Sequence, residues 1–203
     1  MTDNAGGSAR SLLFISPEPP YPPSSGGRAR SFHLLRAVST WAQTDLLTFS
    51  EQPDRQALGP LSEVCRAIQV VPLPHHSRGS LAYFRRNLWR ALRGVNPLVD
   101  RFNEPALRRA VEDWLRNHDY DVVMVEHSWI AHFVELIRRT QEDILIVLDA
   151  HNVESDLWQQ YYRRPRHWWY RPAAYRFFRA MREIESRFLP AFNLILATST
   201  LLR

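Results

Sequence analysis

Six short apolar runs, separated by longer segments of helical period, constrain the fold of this chain most strongly. Their apolar residues are contiguous rather than alternating, which is typical of strands buried on both faces of a parallel sheet. Such strands, joined by crossover helices, predict an α/β fold: a Rossmann-like, doubly wound, mostly parallel sheet of about six strands in a single domain. The runs are SLLFIS from Ser11, TDLLTF from Thr44, AIQVVP from Ala67, DVVMVE from Asp121, ILIVLD from Ile144 and NLILATS from Asn193.

Helical periodicity is clearest in two of the intervening segments. In the last one, apolar residues recur at i, i+4, i+7 and i+11 and therefore lie on one helix face; they are Phe177, Met181, Ile184 and Phe188. The first helix is predicted to begin after an N-cap at Ser25 and to carry Phe32, Leu35 and Val38 on its apolar face.

Composition favours one folded domain. The chain has 203 residues, 45% hydrophobic and 23% charged, which are values of globular proteins. We expect residues 1–10 to form a disordered tail and 11–203 to form the domain, with an insertion rich in arginine and aromatic residues at 74–103. The single cysteine, Cys65, excludes an internal disulfide. Without a segment resembling a signal peptide or a membrane span, we expect a cytoplasmic protein and leave open a place on the inner face of the plasma membrane.

Charge predicts acidic partners. The net charge is +5, and all 26 basic residues are arginine. A basic surface attracts lipid headgroups, nucleotides or nucleic acid. No helix-turn-helix, zinc or single-strand-binding signature accompanies the charge, so nucleic acid is not an expected partner.

Polar residues and glycines follow several of the predicted strands. Ligands of doubly wound sheets bind at the carboxyl ends of the strands, so these positions are the candidate site. They are Gly26 and Gly27 after the first strand, Glu126 and His127 after the fourth, Asp149, His151 and Asn152 after the fifth, and Thr198 and Ser199 after the sixth.

The glycine pair at the start of the first helix has two interpretations. Exposed N–H groups at a glycine-rich helix N-terminus can bind a phosphate group. Alternatively, Gly26 and Gly27 only close a tight turn after the proline-rich stretch PEPPYPP. Neither G-x-G-x-x-G nor a P-loop is present, so the sequence does not predict a dinucleotide site or a P-loop NTPase.

The segments VEHSW and LDAHNVES each place an acid beside a histidine at a strand end. These residue types can transfer protons or bind a polyol, although a histidine at a strand end often makes only a structural hydrogen bond. No compact ligand spacing such as H-E-x-x-H appears, so we expect no metal.

Two segments combine arginine with aromatic residues. In YFRRNLWRALR the periodicity places apolar residues on one helix side, as in helices at membrane surfaces, and it equally fits a solvated helix packed on the domain. The candidate membrane-surface residues are Arg85, Arg86, Trp89 and Arg90, with Phe84, Leu88 and Leu92 on the apolar side. The second segment, YYRRPRHWWYRP, could stack on bases or sugars.

The ordered motifs resemble the N-terminal half of bacterial family-4 retaining glycosyltransferases, which have the two-domain GT-B fold, and especially exopolysaccharide-type sugar transferases. That family opens with a strand followed by PxPPxPPxSGGxxRxxHLLxAL, and this chain reads SPEPPYPPSSGGRARSFHLLRAV. Later segments resemble family motifs in the same order: YDVVMVEHSWIAHF, LIVLDAHNVESDLW and REIESRFLPAFNLILATS. The resemblance covers nearly the whole chain and is loosest from Pro74 to Asn103.

The resemblance implies roles for the strand-end residues. It assigns Gly26, Gly27 and Arg28 to the donor diphosphate, with Arg30 either beside them or facing solvent. It assigns catalysis to His127, Asp149 and His151, and the acceptor side of the cleft to Glu126, Asn152, Glu154 and Ser199. Glu185 matches a recurrent acid of the family, for which a structural role is as well supported.

The resemblance also implies a second domain that these residues do not supply. In the family, a second Rossmann-like domain binds the nucleotide sugar through a Glu-x7-Glu segment. We therefore expect an acceptor-binding half that uses a nucleotide sugar as donor substrate, has no covalent cofactor, and acts on a glycan or lipid-linked acceptor. A truncated gene, a split enzyme with a separate donor-domain chain, and a non-catalytic membrane- or partner-binding module remain alternatives.

Overall fold

The predicted strands form one six-stranded parallel sheet in the part of the chain that the structure, a computed structural model, describes: residues 10–52, 58–73 and 81–197. The strands are β1 (Arg10–Ser16), β2 (Ala42–Ser50), β3 (Ala67–Pro72), β4 (Val122–Glu126), β5 (Leu145–Ala150) and β6 (Leu194–Ala197). Their order is β3-β2-β1-β4-β5-β6, the order of a doubly wound sheet. The predicted fold class is confirmed, and the order reverses between β1 and β4.

Eight α-helices connect these strands within the described ranges. They are α1 (Gly26–Val38), α2 (Gly59–Ser62), α3 (Leu81–Arg93), α4 (Pro97–Phe102), α5 (Pro105–Asn117), α6 (Phe133–Thr140), α7 (Glu154–Arg163) and α8 (Arg171–Phe188). The predicted N-cap of α1 is confirmed, because Ser25 Oγ accepts a hydrogen bond from the Arg28 amide at 3.3 Å. The predicted insertion contains α3 and α4, and its residues 74–80 lie outside the described ranges, as do residues 1–9 of the expected tail. Arg10 already belongs to β1.

Both faces of the sheet are covered by helices. Alternate residues of β1 point to opposite sides, so that Leu12 and Phe14 pack towards α1 and α2, whereas Leu13 and Ile15 pack towards α5 and α6. All four side chains are completely buried. Full burial of such a side chain contributes roughly 1.5–3 kcal/mol. Two apolar cores, one on each face, therefore hold the sheet in place.

The edge strands differ from the sequence-based expectation that all six strands lie in the interior. β3 and β6 each pair with only one neighbour, and Leu194 of β6 is half exposed. The expectation is wrong for these two strands because a contiguous apolar run records residue type and not the number of neighbouring strands. The predicted helix faces are confirmed in α8 by Phe177, Met181 and Phe188, which are buried.

A polar cluster lies at the amino end of the sheet, away from the strand ends where ligands bind. The carboxylate of Asp45 is completely buried, and Tyr120 Oη donates a hydrogen bond to it at 2.6 Å. Arg66 donates from Nε at 3.0 Å and from Nη2 at 2.5 Å. Burial alone raises the pKa of Asp45, but the hydrogen bonds of Arg66 and Tyr120 outweigh burial and lower it. Asp45 is therefore an ionised, fully paired group that connects β2 to the segments before β3 and β4.

We expect Tyr120→Phe to lower the free energy of unfolding by about 1.5–3 kcal/mol, because it removes a hydrogen bond to a buried charge. Asp45→Ala should cost about 1.5–3 kcal/mol, since it removes the acceptor of the Tyr120 hydroxyl while the half-exposed Arg66 remains solvated. Urea unfolding followed by circular dichroism measures both. The control is Tyr161→Phe, an exposed tyrosine for which the change should stay within about 0.5 kcal/mol. A Tyr120→Phe protein as stable as the parent would show that the cluster does not stabilise the fold.

Candidate functional site

The N-terminus of α1 and the end of β4 meet where the strand order reverses. A Cβ atom added at Gly27 would lie 3.7 Å from Nδ1 of His151, and one added at Gly26 would meet nothing within 4 Å. Neither glycine has a φ in the left-handed region. The tight-turn interpretation requires glycine only where the backbone is left-handed, and neither position has such a backbone. The space in front of Gly26 is open, and that in front of Gly27 is bounded by His151.

The first turn of α1 presents backbone N–H groups to this space. The first intrahelical hydrogen bond runs from the Ala29 amide to the Ser25 carbonyl at 2.9 Å. Ser25 Oγ accepts a hydrogen bond from the Arg28 amide. The amides of Gly26 and Gly27 precede the first intrahelical hydrogen bond, so the helix itself supplies no acceptor for them. Together with the dipole of a 13-residue helix, they favour a negatively charged group.

Four charged side chains form a cluster beside these amides. Arg30 of α1 binds Asp149 at the end of β5 through both arms of its guanidinium, with Nε 3.1 Å from Oδ2. His151 Nε2 lies 3.2 Å from Asp149 Oδ2 and 3.5 Å from Glu126 Oε1. Glu126 and Asp149 are paired residues of β4 and β5 and have no exposed surface. The cluster therefore fixes α1 against the ends of two strands.

The cluster sets the protonation of its members. Burial alone lowers the pKa of His151, but the carboxylates of Asp149 and Glu126 outweigh burial and raise it to about 9. Burial raises the pKa of Asp149, yet His151 and Arg30 hold it below its ordinary value. At neutral pH the cluster thus contains two cations and buried carboxylate charge in direct contact.

His127 is neutral and is held in an unusual backbone conformation. Its φ is 66°, a region that residues other than glycine rarely occupy. The imidazole stacks on Trp129 with ring centroids 4.2 Å apart and lies against His151 at 3.9 Å. Burial and the positive charge of His151 lower the pKa of His127 to about 3. A partly exposed neutral imidazole can exchange hydrogen bonds with a hydroxyl or phosphate oxygen.

Other predicted cleft residues lie deeper than expected. Glu126 and Glu154 are buried, so the expectation that they line an open cleft is wrong. Glu185 Oε1 accepts the amide of Glu154 at 2.9 Å and thereby caps α7. Burial and the charge of Glu185 raise the pKa of Glu154 to about 7. Asn152 is exposed beside the cluster, and Thr198 and Ser199 lie outside the described residues.

The same cluster contains the groups that could bind a metal. Glu126, Asp149 and His151 each offer one ligand atom, and these atoms lie within 4.8 Å of one another. A divalent cation would have to compete with Arg30 for Asp149 and with the proton of His151, whose pKa is raised. Arg30 and His151 already neutralise the carboxylates of Asp149 and Glu126. The arrangement is therefore that of an internal ion cluster rather than a cation site.

A cavity of about 740 Å³ lies at the carboxyl ends of β1, β2 and β3. It reaches Arg28, next to the glycines, and Trp129, which stacks on His127. Its walls also include the ion pair of Arg101 with Glu51, 2.8 Å apart, and that of Arg28 with Glu18, 2.7 Å apart. Apolar floor residues combined with charged hydrogen-bonding pairs are typical of binding sites for polar small molecules.

In α3 the apolar side faces solvent and polar residues face the protein, which is the reverse of an ordinary surface helix. The side chains of Phe84, Leu88, Trp89 and Leu92 are exposed. Arg90 is only 5% exposed, and its Nε donates to Asp100 at 2.7 Å. The prediction that Arg90 belongs to a membrane surface is therefore wrong, and so is the alternative that the apolar side packs on the domain. Arg86 and Arg90 line the cavity, whereas Arg85 is exposed.

Sequence reasoning missed several residues of this site. It considered strand ends β1, β4, β5 and β6 but not β2, although Phe49 and Glu51 at the end of β2 line the cavity. The same strand-end rule would have nominated them. Trp129 and the bond from Arg30 to Asp149 depend on side-chain packing, for which the sequence contains no signal.

Comparisons with known proteins support the fold. The structure of Arabidopsis thaliana UGT89C1 complexed with UDP-L-rhamnose is similar with a TM-score of 0.51 and 15% identity, covering 97% of this chain and 53% of that chain. Sucrose-phosphate synthase from Thermosynechococcus elongatus is similar with a TM-score of 0.50 and 13% identity, covering 74% of this chain and 35% of that one. A search of family models and a search of curated proteins find no match. The chain thus has the architecture of one Rossmann-like half of a GT-B fold and spans about half or less of these two structures.

Among the helices of residues 10–52, 58–73 and 81–197, none combines the length and apolar character required to cross a bilayer.

We expect the imidazole of His151 to titrate near pH 9 and that of His127 to stay neutral down to about pH 3. An unfolded histidine titrates near pH 6.5, so His151 stabilises the fold fully below that pH and loses its contribution as the pH rises through 9. His127 acts in the opposite direction, because its contribution is lost as the pH falls from 6.5 towards 3. Histidine NMR titration measures the pKa values directly.

The stability consequence of the His151 titration can be measured separately. Between pH 6.5 and 9, the free energy of unfolding should fall by on the order of 2 kcal/mol through His151. His151→Gln should flatten this slope, and Gln160→His, at an exposed position of α7, should leave it unchanged. A parent protein whose stability does not fall over this range would contradict the assigned pairing of His151.

Proposed function

We propose that this domain is the N-terminal, acceptor-binding half of a retaining glycosyltransferase resembling the family-4, exopolysaccharide-type sugar transferases. It would transfer a sugar from a nucleotide sugar to a lipid-linked or polysaccharide acceptor. The donor-binding half would be supplied by residues beyond these 203 or by a separate polypeptide. The main support is the N-terminus of α1, which lies beside His127 and the charged cluster at the switch point of the sheet. A UGT structure complexed with a nucleotide sugar has a similar fold.

The donor diphosphate would bind at the first turn of α1. The amides of Gly26 and Gly27 precede the helical hydrogen bonds, and the absence of side chains allows a phosphate to approach them. Arg28 is paired with Glu18 at 2.7 Å. This pair would hold the Arg28 side chain at the edge of the site before an anion binds. The positive charges of Arg30 and His151 lie nearby but are paired with Asp149 and Glu126, so the attraction for the diphosphate comes from the α1 amides.

We assign distinct roles to the three residues that the resemblance marks as catalytic. His127 is the candidate catalytic residue, because its neutral imidazole is partly exposed and can bind a hydroxyl of the transferred sugar. Asp149 has no exposed surface and is bound by Arg30 and His151. Asp149 and His151 are therefore positioning residues, which hold α1 and the His127 ring in place.

The reaction would be a balanced group transfer. The bond between the anomeric carbon and the diphosphate oxygen breaks, and a bond from an acceptor hydroxyl oxygen forms on the same face of the sugar. The hydroxyl proton passes to the departing phosphate oxygen. Negative charge that develops on the diphosphate is stabilised by the α1 amides, which are oriented before the reaction begins.

The acceptor would bind in the 740 Å³ cavity. This volume is within the range of small-molecule sites, and the cavity extends from Arg28 to Trp129, the residues adjacent to the proposed donor site. The paired Arg101 and Glu51 can hydrogen-bond to sugar hydroxyls while the partly exposed Trp129 contacts a sugar ring. This position replaces the buried Glu126 and Glu154 as the acceptor site.

We expect UDP and inorganic pyrophosphate to shift the amide resonances of Gly26 and Gly27 in an NMR titration of the 203-residue chain. Gly27→Val should weaken UDP binding by about tenfold or more, because its side chain fills the space above the amides. The control is Gly59→Val at the start of α2, where a Cβ meets nothing within 4 Å. Resonance shifts confined to other regions, or unchanged UDP affinity in Gly27→Val, would refute the phosphate site.

Sugar transfer tests the role of His127 in the assembled enzyme, that is, with the polypeptide that supplies the donor half. We expect His127→Ala to lower kcat by about 100-fold or more, with little change in the affinity for UDP. His33→Ala, a histidine on the outer side of α1, is the matched control. Transfer that survives both His127→Ala and Gly27→Val undiminished would show that the active site lies elsewhere.

A further inference from the structure

The strongest surface feature outside the proposed active site is the exposed side of α3. Its apolar residues point to solvent, and the aliphatic ones are Leu81, Leu88 and Leu92, with exposed fractions of 79%, 51% and 66%. The polar side of the helix faces the protein, where Arg90 is bound to Asp100 and Asn87. The pair of Arg90 with Asp100 of α4 joins the polar side of α3 to the domain, and the apolar side is left exposed.

A second exposed cluster lies next to α3. It comprises Tyr161 at the end of α7, Trp168 and Trp169 in a 3₁₀ turn, and Tyr175 at the start of α8. Arg176 of α8 donates hydrogen bonds to the carbonyls of Ala91 and Leu92 at the end of α3, at 3.2 and 2.5 Å. We call the exposed residues of these two clusters, with the arginines around them, the basic aromatic face.

The charge of this face has one sign. The segment Leu81–Arg93 has four arginines and no acidic residue, and Leu157–Arg182 has seven arginines and no acidic residue. All seven in the second segment are exposed, as are Arg85 and Arg93 in the first. The guanidinium of Arg93 lies 4.5 Å from the ring centroid of Trp89, so cationic and aromatic groups are interleaved.

We propose that the basic aromatic face docks on an anionic lipid surface. Leucines that project from a helix can enter the acyl boundary, tryptophan and tyrosine favour the interface, and arginine binds lipid phosphates. Nucleic acid fits less well, because the aliphatic side chains of α3 can neither stack on bases nor hydrogen-bond to them. The occupant is therefore a membrane whose headgroups carry negative charge.

The docked orientation has a consequence for the cavity. The inward side of α3 contributes Tyr83, Arg86 and Arg90 to the cavity wall, while the outward side would contact lipid. One helix would then separate the bilayer surface from the cavity. An acceptor anchored in the membrane would have only the width of α3 to cross, about 10 Å.

Vesicle flotation tests the docking without any donor substrate, so its result is independent of sugar transfer. We expect the chain to bind vesicles of phosphatidylcholine with about one third phosphatidylglycerol at about 50 mM salt, and to bind pure phosphatidylcholine at least tenfold more weakly. Raising the salt to about 500 mM should release most of the protein.

Paired variants identify the surface. Leu88→Ser with Leu92→Ser, and separately Arg85→Gln with Arg93→Gln, should each lower partitioning by about tenfold or more while the melting temperature is unchanged. The matched controls are Leu145→Ser, another exposed leucine, and Arg109→Gln with Arg116→Gln on α5. Trp168→Ser with Trp169→Ser should weaken binding to a similar extent if both clusters contact the lipid.

The outcomes are decisive in both directions. Loss of binding in the α3 variants, with normal binding in the controls, supports the proposal. Absence of binding to anionic vesicles at low salt would overturn it, as would equal binding by the Leu88→Ser, Leu92→Ser protein. Tight binding of single-stranded RNA without vesicle binding would assign the face to nucleic acid instead.

Discussion

The pairing of β1 with β4 is the contact on which the rest of the structure depends. After β3 the chain returns across the sheet through α3, α4 and α5, and β4 then pairs with the opposite edge of β1 from the one that binds β2. The connections after β1 and after β4 consequently leave the sheet in opposite directions, and an open crevice remains between them. Both the N-terminus of α1 and His127 lie at this crevice because each directly follows one of the two strands.

Electrostatics then determine what the crevice can do. Arg30 and His151 neutralise carboxylates that have no contact with water, so α1 is attached to the sheet by charge as well as by its apolar face. Burial and the positive charge of the adjacent His151 lower the pKa of His127 and keep its imidazole neutral. A site with fixed cations, a neutral imidazole and unpaired helix amides is suited to a ligand that carries both phosphate and hydroxyl groups.

The insertion after β3 gives the domain its second surface. Because Arg90 pairs with Asp100 of α4, α3 directs its leucines outward, and Arg86 and Arg90 line the cavity. The proposed acceptor cavity and the proposed membrane face are therefore two sides of one helix. This arrangement would allow the same element to locate the protein and to bind the acceptor.

Residue type and periodicity predicted the six strands, the order of strand and helix, the N-cap of α1 and the strand ends where the site lies. These properties follow from local periodicity and from the rule that parallel strands end at one edge. Only the tertiary structure decided that Glu126 and Glu154 are buried, that Arg30 binds Asp149, that Trp129 supports His127, and that α3 faces outward. Each of these depends on which groups meet across large sequence separations, such as the 119 residues between Arg30 and Asp149. Periodicity identifies the two sides of a helix, but only the partners available to buried charges determine which side faces the protein.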